Sequence, residues 1–256
     1  MKYTEEEILQ HYKTEADRHG LNGACTIQDI RTRILEMRAI LSYLHDGIKV
    51  LEVGCGNGFV AQKIVEELDI DIDAIDFSPE MIAIAKSRIM DSARGRVNYA
   101  HQDILTFKKN DEYDLVFTER CLQNLTSWDD QKIALLNIVN SLKPKGQLIL
   151  LESFDTGHNN LNAARMELEL PVIDPSWHNL FFNEKDTVEY LRSINCHFKD
   201  QNPFLSGYYF SSRLILPSIM PKNKPVTSKS VLNDYFCHMP AWGDFCPIKI
   251  MRFIKS

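Results

Sequence analysis

The chemistry of this chain gathers around an acidic residue set in a glycine-rich turn. Val50 to Gly58 reads Val-Leu-Glu-Val-Gly-Cys-Gly-Asn-Gly. A buried-strand pattern there runs into a loop with Gly54, Gly56 and Gly58, and a helical pattern follows from Phe59 to Leu68. Glycine at every second position lets the backbone turn sharply and approach a ligand with no Cβ in the way. The helix behind it aims free N–H groups at the same place. Glu52 lies inside the motif, and Asp76, 18 residues beyond Gly58, ends the next strand beside Phe77. Asp103 and Ile104 follow the third strand.

Those residue types discriminate between ligands. A dinucleotide would set its pyrophosphate on the helix N-terminus, where a carboxylate in the same loop repels it. The G-x-G-x-x-G/A fingerprint of nicotinamide and flavin enzymes also fails, because Phe59 occupies its third place. Glu52 suits a ligand with a cationic amino group and no phosphate. A carboxylate at Asp76 can accept both hydroxyls of a ribose, and Phe77 can lie on a purine. Asp103 can accept the exocyclic amine of that base, with Ile104 packed beside it. Amine, ribose and adenine together describe S-adenosylmethionine. Plainer roles compete: glycines at strand ends are often only turns, Asp76 can brace the helix opened by Ser78 and Pro79, and Asp103 can be a loop carboxylate.

With these residues in this order, Ile48 to Glu152 resembles the class I S-adenosylmethionine-dependent methyltransferases. The resemblance implies that Glu52, Gly54, Cys55, Gly56 and Gly58 hold the methionine end, Asp76 and Phe77 the ribose and base, and Asp103 with Ile104 the adenine. Phe117 to Asn124, Phe-Thr-Glu-Arg-Cys-Leu-Gln-Asn, is similar to the family's segment after the fourth strand, which brings Glu119 to the cofactor. Lys143-Pro144-Lys145-Gly146 is similar to its turn before the next strand. The implied fold is α/β and Rossmann-like, a seven-stranded mostly parallel sheet whose last strand, Ile248 to Ile254, is antiparallel.

The elements that must position these residues follow from periodicity. Thr4 and Glu7 have capping-box spacing, and Ile8, His11, Tyr12 and Ala16 then share a helical face. A second helix carries Ile30, Ile34, Met37, Leu41 and Leu44 on one stripe, ending near Gly47. From Ile48 the chain alternates: strand Ile48 to Val53, helix Phe59 to Leu68, strand Ile72 to Asp76, helix Pro79 to Met90. Strands Val97 to His101 and Tyr113 to Thr118, helix Asp130 to Leu142 and strand Gln147 to Glu152 complete the series. Such alternation predicts a parallel sheet covered on both faces, with ligands beyond the carboxyl ends of its strands. Ser153 to Asn183 reads as irregular, Glu184 to Ile194 as a helix, Cys196 to Phe204 as a strand and Pro221 to Lys229 as an exposed loop. The expected organisation is one domain: an N-terminal helical cap (1–47), the cofactor-binding core (48–152), and an acceptor-side insertion with the completion of the sheet (153–256).

Methyl transfer is an in-line displacement, so the acceptor side must align a nucleophile and exclude water. A base is needed only where the acceptor loses a proton. Candidates for catalysis are His178, Glu119 and Tyr12, the last on a helix that can act as a lid. Candidates for holding the acceptor are Arg120, Asn124, Asn162, Arg165, His178 and Asn179, with Asn159 and Glu152 nearby. His178, titrating near neutrality, can serve a hydroxyl as base, and Arg120 and Arg165 can grip an acidic acceptor. Plainer readings are a loop histidine, surface arginines and a packing cap. Glu152 to Phe182 resembles methyltransferases of polysaccharide and natural-product pathways, whose acceptors are sugar hydroxyls, small metabolites or the C-terminal carboxylate of modified peptides. An oxygen acceptor is expected, because the Asn/Asp-Pro-Pro-Tyr/Phe signature of many amino-group enzymes is absent at Phe117 to Arg120. An N-methyltransferase, a nicotinamide dehydrogenase and a non-catalytic module that binds the cofactor are the rivals.

Composition bounds the rest. A chain of 256 residues buries a sizeable core. A formal charge of -6 and a pI near 5.8 give no basic field for nucleic acid. The six scattered cysteines form no Cys-x-x-Cys pair and predict reduced thiols, with neither a disulfide framework nor a structural metal. No apolar run reaches membrane-spanning length and no secretory signal opens the chain, so the expectation is a soluble, cytoplasmic protein.

Overall fold

The computed structural model describes residues 3–23, 25, 27, 29–88, 93–221 and 228–256. Strands β1 Lys49–Val53, β2 Asp71–Asp76, β3 Arg96–His101, β4 Tyr113–Glu119, β5 Leu142–Ser153, β6 Cys196–Asn202 and β7 Ile248–Lys255 form one seven-stranded sheet in the order β3-β2-β1-β4-β5-β7-β6. The pairings among β1 to β5 are parallel, whereas β7 runs antiparallel to both β5 and β6. This is the Rossmann-like sheet that the family resemblance implied.

Successive residues of a strand face opposite sides, and the central strands bury both. On one face Val50, Leu115, Phe117, Ile149 and Leu151 pack with Val60, Ala61 and Ile64 of α3 (Phe59–Glu67). On the other, Leu51, Val53, Val116, Leu148 and Leu150 pack with Ala134, Leu135 and Ile138 of α5 (Trp128–Ser141). Both layers were readable because their strands are β-branched and apolar on both faces.

Side-chain caps start several helices. Thr4 and Glu7 form the expected capping box on α1 (Glu5–His19). Ser78 caps α4 (Pro79–Lys86), with Pro79 in the first turn, where its missing N–H is harmless. Ser127 caps α5, so that helix begins at Trp128 and not Asp130. Asn183 caps α7 (Glu184–Ser193). Strand β5 is longer than expected, absorbing the Lys143 to Gly146 turn. The expected end of the fourth helix at Met90 and most of the loop Pro221 to Lys229 lie outside the described residues.

Two expectations are corrected. The stripe assigned to α2 (Ile30–Leu41) holds only at its far end: Ile30 and Ile34 are exposed, Leu41 and Leu44 join the core, and Thr32 and Glu36 are buried. A polar partner across the interface, described below, turns the helix that way. Asp155–Glu167, read as irregular, is helix α6. Beyond α7 and β6, a short helix α8 (Ser206–Tyr209) continues through a π-helical turn Phe210–Ile215 into α9 (Leu216–Ile219), and α10 (Leu232–Phe236) follows. Among the described residues no helix is long and apolar enough to cross a membrane, and all six cysteines are free.

Candidate active site

A cavity of about 970 Å³ opens beyond the carboxyl ends of β1, β2, β3 and β4, with α1 lying over it. Asp76 lies in its wall at the end of β2. Its Oδ2 accepts the Gly56 N–H at 2.8 Å and its Oδ1 accepts the Ser78 N–H at 2.8 Å. The carboxylate thus braces the glycine loop and the start of α4 at once. Burial raises its pKa, and the two N–H donors pull it back.

The three glycines divide their work. All have positive φ. A Cβ on Gly54 would strike the Cys121 side chain, and one on Gly58 would lie 2.8 Å from the Tyr99 ring; one on Gly56 would meet open space. Gly54, Cys55 and Gly56 line the cavity and Gly58 does not. Freedom for a ligand to approach therefore belongs to Gly56, while Gly54 and Gly58 are demanded by packing within the protein.

Glu52 is also set back from the wall. It is 1 % exposed, its Oε2 has no hydrogen-bond partner, and burial raises its carboxyl well above the usual range, with Glu119 adding and Arg33 opposing. Glu119 itself lines the cavity and accepts from Arg33 Nη1 at 2.6 Å. Phe77, Asp103 and Ile104 line the opposite end. Asp103 Oδ1 accepts the Leu105 N–H at 2.8 Å, which fixes the turn after β3.

Arg120 stands in the left-handed region, φ +51°. It lines the cavity, and its Nε lies 2.9 Å from Glu36 Oε1 on α2. Glu36 is fully buried, and burial pushes it up to about 8 against the pull of Arg120 and Arg33. Arg33 and Glu36 were missed in the sequence. Their only signal there was a spacing of three on a helix otherwise judged by its isoleucines.

The acceptor side is assembled by two loops. Glu152 accepts the N–H groups of Cys121, Leu122 and Gln123 at 3.1, 3.0 and 3.2 Å. It holds the turn after β4 from behind and does not reach the acceptor; burial raises it to about 7 despite those donors. Gln131 Nε2 donates to the carbonyls of Leu122 and Leu180 at 3.1 and 3.0 Å, and the Leu180 N–H donates to the Gln123 carbonyl at 2.6 Å. These bonds join Asn124 to His178 and Asn179 on one wall.

Tyr12 descends from α1 onto this wall. Its hydroxyl accepts from Asn124 Nδ2 at 2.5 Å, and its ring meets Phe77 edge-on at 6.0 Å. Burial raises the phenol, so it keeps its proton. His178 stacks on His11 at 4.7 Å and meets Trp177 edge-on at 5.0 Å. Burial, with His11 and Arg120 adding, lowers it to about 4. At neutral pH it is an uncharged imidazole and a weaker base than its residue type suggested.

Three expected residues lie elsewhere. Asn162 spends its amide on the Ile173 backbone, with Nδ2 donating at 3.0 Å and Oδ1 accepting at 2.9 Å. Arg165 is buried, donating to the carbonyls of Pro171 and Arg213. Asn159 is exposed on the same helix, α6, and none of the three lines the cavity.

A sheet of this order, with its large cavity at the carboxyl ends of β1 to β4 and an acidic residue closing β2, defines the class I S-adenosylmethionine-dependent methyltransferases. Residues 50–146 match the family model described as "Methyltransferase domain". Over 127 residues it is 32% identical to malonyl-(acyl-carrier protein) O-methyltransferase 1 of Ilyobacter polytropus, covering 49% of this chain and 44% of that protein. It is 31% identical to phosphoethanolamine N-methyltransferase 2 of Caenorhabditis elegans over 41% of this chain and 23% of that protein. The chain thus spans half or less of the length of such curated relatives. Magnesium protoporphyrin IX methyltransferase from Synechocystis PCC 6803, solved with its bound demethylated cofactor, superposes with a TM-score of 0.57 at 13% identity, covering 88% of this chain and 86% of that one. That likeness is one of fold.

Proposed function

We propose that this protein transfers the methyl group of S-adenosylmethionine to an oxygen of a small-molecule, sugar or peptide acceptor. The observation that carries the reading is Asp76: a half-buried carboxylate, fixed through two backbone N–H groups, facing a cavity large enough for nucleoside and acceptor together. The residues present fit the cofactor. Gly56 leaves room where a Cβ would intrude, and the Oε2 of Glu52 is an orphaned buried acceptor behind the loop. Asp76 would take the ribose hydroxyls, Phe77, Asp103 and Ile104 the adenine, and Gly54, Cys55 and Glu119 the methionine end, with Glu52 buried behind the loop. When bound, the cofactor supplies an electrophilic methyl group whose bond to sulfur breaks, the electron pair staying on sulfur, as the acceptor oxygen forms the new bond. The chain's part is alignment and exclusion of water by α1, Tyr12 and the aromatic rim. An oxygen acceptor is favoured over an amine by Phe117 to Arg120 at the end of β4, where many amino-group enzymes carry Asn/Asp-Pro-Pro-Tyr/Phe.

Calorimetric titration with S-adenosylmethionine, its demethylated product and NAD tests the reading. Binding of the first two and none of NAD is expected, and Asp76→Ala should weaken product binding at least roughly tenfold, as loss of a charge-assisted hydrogen-bond acceptor does, with the fold intact by circular dichroism. Binding of NAD alone would overturn the assignment.

A further inference from the structure

The helical stretch between β6 and β7 turns large apolar side chains toward solvent. Ile215, which ends the π-helical turn, and Ile219 of α9 are four residues apart, and Ile219 is 66 % exposed. Val231 and Tyr235 repeat that spacing on α10 and are 70 % and 73 % exposed; Met239, in the turn that follows, is exposed too. Residues four apart share one side of a helix, so each pair is a stripe. The stripes belong to one body. Helix α9 continues the π-helical turn, α10 packs on that turn and on α8, and the exposed Trp242 meets Phe210 of the turn at 4.7 Å. Single exposed apolar residues are ordinary, whereas apolar side chains grouped on neighbouring elements mark a surface that is covered in use.

Charge in the same stretch indicates what covers it. Residues 201–233 contain no aspartate or glutamate, in a chain with 35 of them, and carry Arg213, Lys222, Lys224 and Lys229. Arg213 is taken up by Asp29 at 3.1 Å. The lysines are left: Lys222 and Lys224 fall between α9 and α10 in the sequence, and the exposed Lys229 precedes Val231 by two residues. Asp234, the acid that ends the run, is held by Arg31 at 2.8 Å. A second copy of the chain, docked face to face, would bring like charge to like. A lipid surface with anionic headgroups answers both features. Lysines attract the headgroups, isoleucine, valine and methionine enter the acyl boundary, and tyrosine and tryptophan sit at the level between. Side chains exposed by about two thirds project outward, which suits insertion into lipid better than a protein partner, whose anchors seat in recesses.

We propose that the face formed by α9 and α10 docks the protein on an anionic lipid surface. Among the described residues no helix is long and apolar enough to cross a membrane, so the contact is interfacial and reversible. Ser228 and Lys229, just ahead of α10, also line the active-site cavity, so docking brings one side of that cavity toward the bilayer.

Flotation of the full chain with vesicles of phosphatidylcholine, with and without phosphatidylserine, tests the docking. The chain should float with the anionic vesicles and bind the zwitterionic ones at least roughly tenfold more weakly, and raising salt from roughly 0.1 to 0.5 M should release most of it. Val231→Ser combined with Tyr235→Ser should weaken binding to anionic vesicles at least roughly tenfold, with the circular dichroism spectrum and melting temperature unchanged, as for exposed positions. Ile133→Ser, an exposed change on α5 across the sheet, should bind like the parent. No flotation, equal binding to both kinds of vesicle, or a double variant that binds like the parent would overturn the proposal. So would light scattering that shows a dimer dissociated by the double variant, which would give this face to a second copy.

Discussion

His178 shows how surroundings recast a residue whose type alone says little. Stacked on His11 and near Arg120, it holds no proton until about pH 4, whereas in the unfolded chain it titrates near 6.5. Its folded pKa is depressed, so the unfolded state takes up the proton first as pH falls, and stability drops through that window. The melting temperature should therefore decline between pH 6.5 and 4, and the decline should be shallower in His178→Gln; parallel curves would remove His178 from the acid response. From the sequence, histidine could only be given its ordinary titration, because the neighbours that shift it come from α1 and β4. Asp76 was easier to read, since its place depends on one strand end and one loop. Arg33 was not: its partner Glu119 lies 86 residues away.

At the scale of elements, the glycine loop combines two requirements that one motif disguises as one. Alanine at Gly54 or Gly56 must enter the left-handed region, a strain of roughly 1–2 kcal/mol. At Gly54 it must also displace Cys121, and overpacking adds roughly 1–3 kcal/mol. Gly54→Ala should then lower the denaturation midpoint more than Gly56→Ala, while Gly56→Ala should cost more affinity for the demethylated cofactor. Chemical denaturation paired with calorimetry measures both, and the opposite order in either would count against the division. The strands around this loop were readable from their apolar runs. Helix α6 was not, because its buried face is Gly157, Leu161 and Arg165 and its first turn has no side-chain cap. Helix α2 misled for a related reason: Ile30 and Ile34 are exposed and its glutamate faces inward, where Arg120 meets it.

Across the whole molecule, α1 is fastened as well as packed. Asn57 Nδ2 donates to the carbonyls of Gly20 and Asn22 at 2.8 and 3.0 Å, and Arg88 donates to the carbonyls of Asn57 and Leu21. The loop after α1 is thereby tied to the cofactor loop. Asn57→Ala should speed amide exchange across Glu5 to Gly23 by roughly an order of magnitude, the worth of about one to two hydrogen bonds, with the sheet unaffected. Exchange that stays slow in α1 would mean that packing on α4 alone holds it.

The position of β7 bears on how the chain reaches this state. It lies between β5 and β6 and pairs with both, yet it comes last of the three along the chain. During synthesis from the N-terminus, the β5 edge stays bare and β6 has no neighbour until Ile248 to Lys255 emerge. One edge of a nearly complete parallel sheet is thus held open as a template for other strands until β7 fills it. The insertion of β7 joins two segments distant in sequence at once, a non-local pairing of the kind that slows folding.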